Sequence, residues 1–100
     1  MDIDRFTASL RVRQPPAGLS ALLEALWHDG HGDWDRAHNI IQGQEGKDAA
    51  AVHAYLHRKE GDLANADYWY GRAQRVRTSV SLADEWGELV RQFMVGNRPG

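Results

Sequence analysis

The stretches LWHDGHGDWDRA (residues 26–37) and LHRKEGDLANA (residues 56–66) share one pattern, and that pattern decides the fold. With Gly32 aligned on Gly61, the two segments match at an offset of 29 residues. In each copy a helical segment ends at a Gly-Asp turn, because glycine tolerates the left-handed backbone and aspartate caps the next helix. Each copy is therefore predicted to be a helical hairpin, which must pack on a neighbour to bury its apolar side.

Apolar residues recur at helical spacing on both sides of these turns. The clearest stripe consists of Leu19, Leu22, Leu23, Leu26 and Trp27. No segment shows the sustained alternation of a strand, so the predicted fold class is all-α with five main helices. The two copies cover about residues 18–43 and 47–76. A further helix over 81–95, opened by Ser81, is predicted to cap the open end of the second copy.

The domain organisation follows from the breaks in this pattern. Residues 17–95 are predicted to form a single domain, since a chain of 100 residues suits one core. Residues 1–16 form a leader that is loosely packed or a short helix, and Pro15 and Pro16 separate it from the first main helix. Residues 96–100 are predicted to be a flexible tail.

Composition excludes several functional classes. The chain has no cysteine and a net charge of −2, which argues against thiolate chemistry and against nonspecific binding to nucleic acid. Neither a signal peptide nor an apolar run of membrane-spanning length is found, so the expected location is the cytoplasm. No nucleophile elbow or phosphate-binding loop is present. The sequence therefore favours a non-enzymatic role without a cofactor.

The segment GDLANADYWYGRA (residues 61–73) resembles the second half of a tetratricopeptide repeat, with its Gly-Asp turn, spaced alanines and an aromatic between them. The offset of 29 residues is shorter than the ~34 of that family. The resemblance implies a right-handed stack of helical hairpins with a groove that binds a peptide or partner protein. Residues 53–62 also resemble a stretch found in a group of small uncharacterised bacterial proteins.

The tetratricopeptide alignment implies which residues face the groove. In the second copy they are Asp48, Ala51, Tyr55, Arg58 and Lys59, and in the first copy they include Asp29. An exposed tyrosine beside two cations would suit an acidic partner, so the five charged or aromatic residues among them are the predicted partner-binding site.

Two alternatives remain open. His53 and His57 are one helical turn apart, and His28 aligns with His57 in the repeat, so the three histidines could form a metal site or a metal-dependent catalytic site. The opposing interpretation is that they are half-buried core histidines with hydrogen-bond partners. The second alternative is a structural homodimer, in which the exposed end of the repeat stack pairs with itself.

Overall fold

The computed structural model describes residues 2–96, and these residues form six α-helices and no strand. The helices are α1 (Ile3–Ser9), α2 (Ala21–Gly30), α3 (Trp34–Gln42), α4 (Lys47–Glu60), α5 (Leu63–Arg72) and α6 (Leu82–Gly96). The all-α prediction is confirmed, and the sixth helix arises because the leader contributes α1. Of the predicted tail, Gly96 belongs to α6 and the rest lies outside the described residues.

The Gly-Asp turns are built as the sequence predicts. Gly32 and Gly61 adopt φ angles of 93° and 89°, which an L side chain would strain. The carboxylates of Asp33 and Asp62 each accept from the backbone N–H three residues ahead, at 3.1 and 3.2 Å. Each aspartate thereby satisfies an N–H group that has no partner within the helix.

Helix α4 is the centre of the molecule. Helix α2 packs against α3, α4 packs against α5, and α3 lies beside α4. Helix α6 contacts both α2 and α4, and α1 contacts α6. As a result every residue from 49 to 57 is buried, although most of them are not large apolar residues.

The leader is part of the core. Phe6 of α1 is fully buried, and its ring centroid lies 5.8 Å from that of Trp86 on α6. The Ser9 hydroxyl accepts a hydrogen bond of 3.0 Å from the Trp27 indole. Of the two alternatives for the leader, residues 3–9 adopt the short helix and are not loosely packed, because one aromatic ring and one hydroxyl fix α1 to two other helices.

Helix α6 lies across α2 and α4. The Trp86 indole N–H donates to the Leu26 carbonyl oxygen at 2.9 Å, which ties α6 to a residue 60 positions earlier. Gly30 allows this close approach, since a Cβ there would lie 3.0 Å from the Trp86 ring. None of the helices within residues 2–96 combines the length and the apolar character needed to cross a bilayer.

Candidate functional site

Three of the predicted partner-binding residues on α4 bond to other parts of the chain, namely Tyr55, Arg58 and Lys59. Tyr55 is only 2% exposed, and its hydroxyl donates to Asp29 Oδ2 at 2.7 Å. Lys59 Nζ donates to Asp29 Oδ1 at 2.8 Å, so the buried carboxylate of Asp29 is held by two donors. The expectation that Tyr55 is exposed is wrong, because α4 is surrounded by helices rather than bordering an open groove.

Arg58 is held by α6 and by the loop that precedes it. Its Nη1 donates to Glu85 Oε1 at 2.8 Å, and its Nη2 donates to the Val80 carbonyl oxygen. Glu85 also accepts from the Tyr70 hydroxyl at 2.6 Å. Helix α6 thus places a buried carboxylate on the face where the sequence predicts a peptide. Of the five predicted residues, Asp48 and Lys59 are the ones that solvent reaches readily.

Burial and the adjacent carboxylates keep both tyrosines in this region neutral. Burial, followed by the charge of Asp29, raises the pKa of Tyr55 far above its usual value. Burial and the hydrogen bond to Glu85 raise the pKa of Tyr70 in the same direction. Neither hydroxyl can act as a base near neutral pH, so the two networks are best interpreted as stabilising the interior.

A cleft of about 410 Å³ opens elsewhere, between the α3–α4 loop and α5. Its cationic lining residues are Lys47 and Arg72, and its acidic lining residue is Glu45. Trp69 and His53 also line it, and their rings stack with centroids 3.9 Å apart. The cleft therefore joins an aromatic wall to a cationic rim.

The surface of α5 next to this cleft carries an exposed aromatic side chain. Tyr68 is 55% exposed. The Arg72 guanidinium lies 5.9 Å from the centroid of the Tyr68 ring and 5.7 Å from that of Trp69. Its Nη1 also donates to the Tyr68 hydroxyl at 3.0 Å. These contacts hold the Arg72 cation beside the cleft.

Three histidines meet between α3 and α4. His38 Nε2 and His53 Nε2 share a hydrogen bond of 3.1 Å. The His57 ring lies 5.1 Å from that of His38 and 4.9 Å from that of His53, centroid to centroid. His53 and His57 are buried, whereas His38 is half-buried. The ligand nitrogens of the three rings all lie within 4.8 Å of one another, a separation compatible with one metal ion.

The composition of this cluster differs from the predicted set. His28 lies on α2, where its ring contacts Trp27 edge-to-face at 5.1 Å and its Nε2 lies 4.0 Å from Glu24. His38 takes its place in the cluster, because α3 rather than α2 is the neighbour of this face of α4. The sequence holds one signal for His38, which is its position four residues, or one helical turn, after Trp34. In the structure the His38 ring stacks on that indole.

The environment of His53 and His38 favours neutral imidazoles. Burial, together with the neighbouring His57 and His38, lowers the pKa of His53 to about 4. Burial and the proximity of His57 also lower the pKa of His38. His57 also belongs to a second group of possible ligands. One carboxylate oxygen of Glu60, one of Asp62 and a ring nitrogen of His57 all lie within 4.8 Å of one another. Neutral imidazole is the form that binds metals.

No protein-family model, curated protein or solved structure matches this chain. Within residues 2–96, two features bring together side chains that can bind a ligand: the cleft beside α5 and the histidine cluster between α3 and α4.

Proposed function

We propose that this chain is a non-enzymatic binding domain that holds an acidic segment of a partner protein in the cleft between the α3–α4 loop and α5. The observation that carries the proposal is the pairing of Lys47 and Arg72 around an aromatic wall. The scaffold we propose is a tetratricopeptide-like stack of two hairpins, α2–α3 and α4–α5.

The cleft has the size and chemistry that such a ligand requires. Its volume of about 410 Å³ falls within the range of pockets that bind small molecules or single side chains. The amino end of α4 lies at its rim, and Gly46 supplies no side-chain cap there. The partial positive charge of that helix end adds to the two cations and favours a carboxylate over an amine.

The location of the proposed site differs from the one predicted by sequence, but its chemistry is the same. An aromatic ring beside two cations is the expected arrangement, and Trp69, Arg72 and Lys47 supply it in place of Tyr55, Arg58 and Lys59. The inner face of α2 and α4 is closed to a ligand because α1 and α6 cover it.

Fluorescence anisotropy with a labelled glutamate-rich peptide tests the proposal, with a lysine-rich peptide of equal length as its counterpart. The double variant Lys47→Ala, Arg72→Ala should bind the acidic peptide about 5–30-fold more weakly, since each partly exposed charge pair contributes about 0.5–1 kcal/mol. Arg75→Ala is the matched control, because Arg75 is exposed and contacts Gln92 of α6. Equal binding of both peptides, or unchanged affinity in the double variant, would refute the proposal.

The homodimer alternative is decided by light scattering on the purified chain. If the chain dimerises and the double variant is monomeric, a second copy supplies the acidic segment. If the wild-type chain and the double variant are both dimers, the dimer interface lies outside the cleft.

A further inference from the structure

We propose that His38, His53 and His57 together bind one divalent transition-metal ion of the zinc class. This inference is independent of the cleft, although His53 also lines the cleft wall. It replaces His28 of the predicted set with His38 and assigns the ion to the seam between α3 and α4.

The spacing of the ring nitrogens suits one ion. A tetrahedral zinc ion with nitrogens at about 2.0–2.1 Å requires those nitrogens to be about 3.3 Å apart. His38 Nε2 and His53 Nε2 are 3.1 Å apart, close to that separation. All three ligand nitrogens lie within 4.8 Å of one another, so the third ring reaches the ion after a small movement.

The hydrogen bond between His57 and Glu60 occupies one ring nitrogen of His57 and leaves the other for a metal. Glu60 Oε1 lies 2.6 Å from His57 Nδ1, and the carboxylate accepts the Nδ1 proton. In the neutral ring that donates this bond, His57 Nε2 carries the lone pair, and that nitrogen lies 3.3 Å from the Asn65 amide nitrogen. A carboxylate that orients a histidine through the nitrogen not bound to the metal is a recurrent feature of metal sites.

The other two rings are held by indoles and share one proton. Trp34 stacks on His38 with ring centroids 4.9 Å apart, and Trp69 stacks on His53 at 3.9 Å. The Trp34 indole N–H donates to the Leu56 carbonyl oxygen at 2.8 Å, which fixes that indole in turn. Since one proton lies between His38 and His53, an ion that binds there displaces it to solvent.

The ligand chemistry selects the class of ion. Three imidazole ligands favour zinc, copper, nickel or cobalt over the harder magnesium and calcium. Three protein ligands also leave a fourth position for water or for a group from outside the chain. His38 is half-buried, so the ion can reach the site from its side.

The test uses the chain purified without a histidine tag, with Co²⁺ and Zn²⁺ as probes. Co²⁺ should give the visible d–d bands of a tetrahedral nitrogen site, and calorimetry with Zn²⁺ should give one ion per chain. His38→Gln should abolish the bands, and this half-buried position limits the cost of the substitution to folding. Glu60→Gln should weaken Zn²⁺ binding by about 10–100-fold, the usual effect of losing an orienting carboxylate.

His31→Gln is the matched control, because His31 stacks on Trp27 of α2, away from the cluster, and should leave the bands intact. Circular dichroism confirms that each variant is folded. The inference is overturned if wild-type protein gives no bands and no heat, or if folded His38→Gln protein binds as tightly as wild type. It is also overturned if His31→Gln removes the bands. The peptide assay on wild-type protein is read separately, so failure of either proposal leaves the other intact.

Discussion

Replacement of Asp29 by alanine is expected to reveal how much the domain depends on its buried carboxylate. Asp29 is 2% exposed and accepts from the Tyr55 hydroxyl at 2.7 Å and from Lys59 Nζ at 2.8 Å. The substitution leaves the Tyr55 hydroxyl buried between α2 and α4 without its acceptor. The expected result is a large loss of stability from a single side chain.

The magnitude follows from the two contacts. A buried donor left without a partner costs about 1–3 kcal/mol. The bond to Lys59 contributes at most ~1 kcal/mol, since that amine is partly exposed and regains water. Release of the carboxylate from its buried site offsets part of this loss. The net decrease in the free energy of unfolding should be about 2–3 kcal/mol, or about 10–20 °C in Tm for a chain of this length.

Urea denaturation followed by circular dichroism measures this decrease, with Asp48→Ala as the control. Asp48 is exposed in the first turn of α4, so its loss should cost less than about 1 kcal/mol. Addition of Tyr55→Phe to Asp29→Ala removes the stranded hydroxyl and should recover about 1 kcal/mol. The reasoning is refuted if Asp29→Ala costs no more than Asp48→Ala, or if the double variant is no more stable than Asp29→Ala.

Three further predictions concern stability. Burial lowers the pKa of His53 to about 4, so the folded state binds fewer protons than the unfolded state between pH 6.5 and 4. The contribution of His53 to the free energy of unfolding is then complete above pH 6.5 and decreases with acidification by up to about 1.4 kcal/mol per pH unit. A free energy of unfolding that stays constant over this pH range, measured by urea titration, would contradict this. Gly30→Ala places a Cβ 3.0 Å from the Trp86 ring and should cost about 1 kcal/mol net, because about 1–3 kcal/mol of overpacking exceeds the gain in helix propensity. Gly71→Ala, whose Cβ meets no atom within 4 Å, should instead stabilise by about 0.5–1 kcal/mol, and equal effects of the two substitutions would refute the packing argument. Asp62→Ala removes the cap of α5 and should cost about 1 kcal/mol in thermal unfolding, so an unchanged Tm would contradict the role of the cap.

Local signals in the sequence were sufficient for the helices and their turns. Asp33 and Asp62 cap helices where the Gly-Asp pattern places them, because a cap depends on neighbours three residues away. Phe6 and Leu10 are four residues apart, one helical turn, and both pack on the core.

The surroundings of α4 were not predictable in the same way. Tyr55 was expected on an open face, but that expectation requires the inner face of the hairpins to be free. The contact of Trp86 with Leu26 joins residues 60 positions apart, and no short-range pattern encodes which face α6 covers. Likewise, His38 joins the histidine cluster through the packing of α3 on α4, while repeat alignment pointed to His28 on α2.

The packing of α6 on α2 and α4 also has a consequence for folding during synthesis. Residues up to 72, which contain both hairpins, leave the ribosome before any of α6 does. In that interval Leu26 lacks the indole that its carbonyl accepts from, and Arg58 lacks the carboxylate of Glu85. The nascent chain therefore exposes the apolar inner face of α2 and α4 until Trp86 emerges. Docking of α6 cannot begin before residue 86 has left the ribosome, and apolar surface that is exposed for that time favours aggregation.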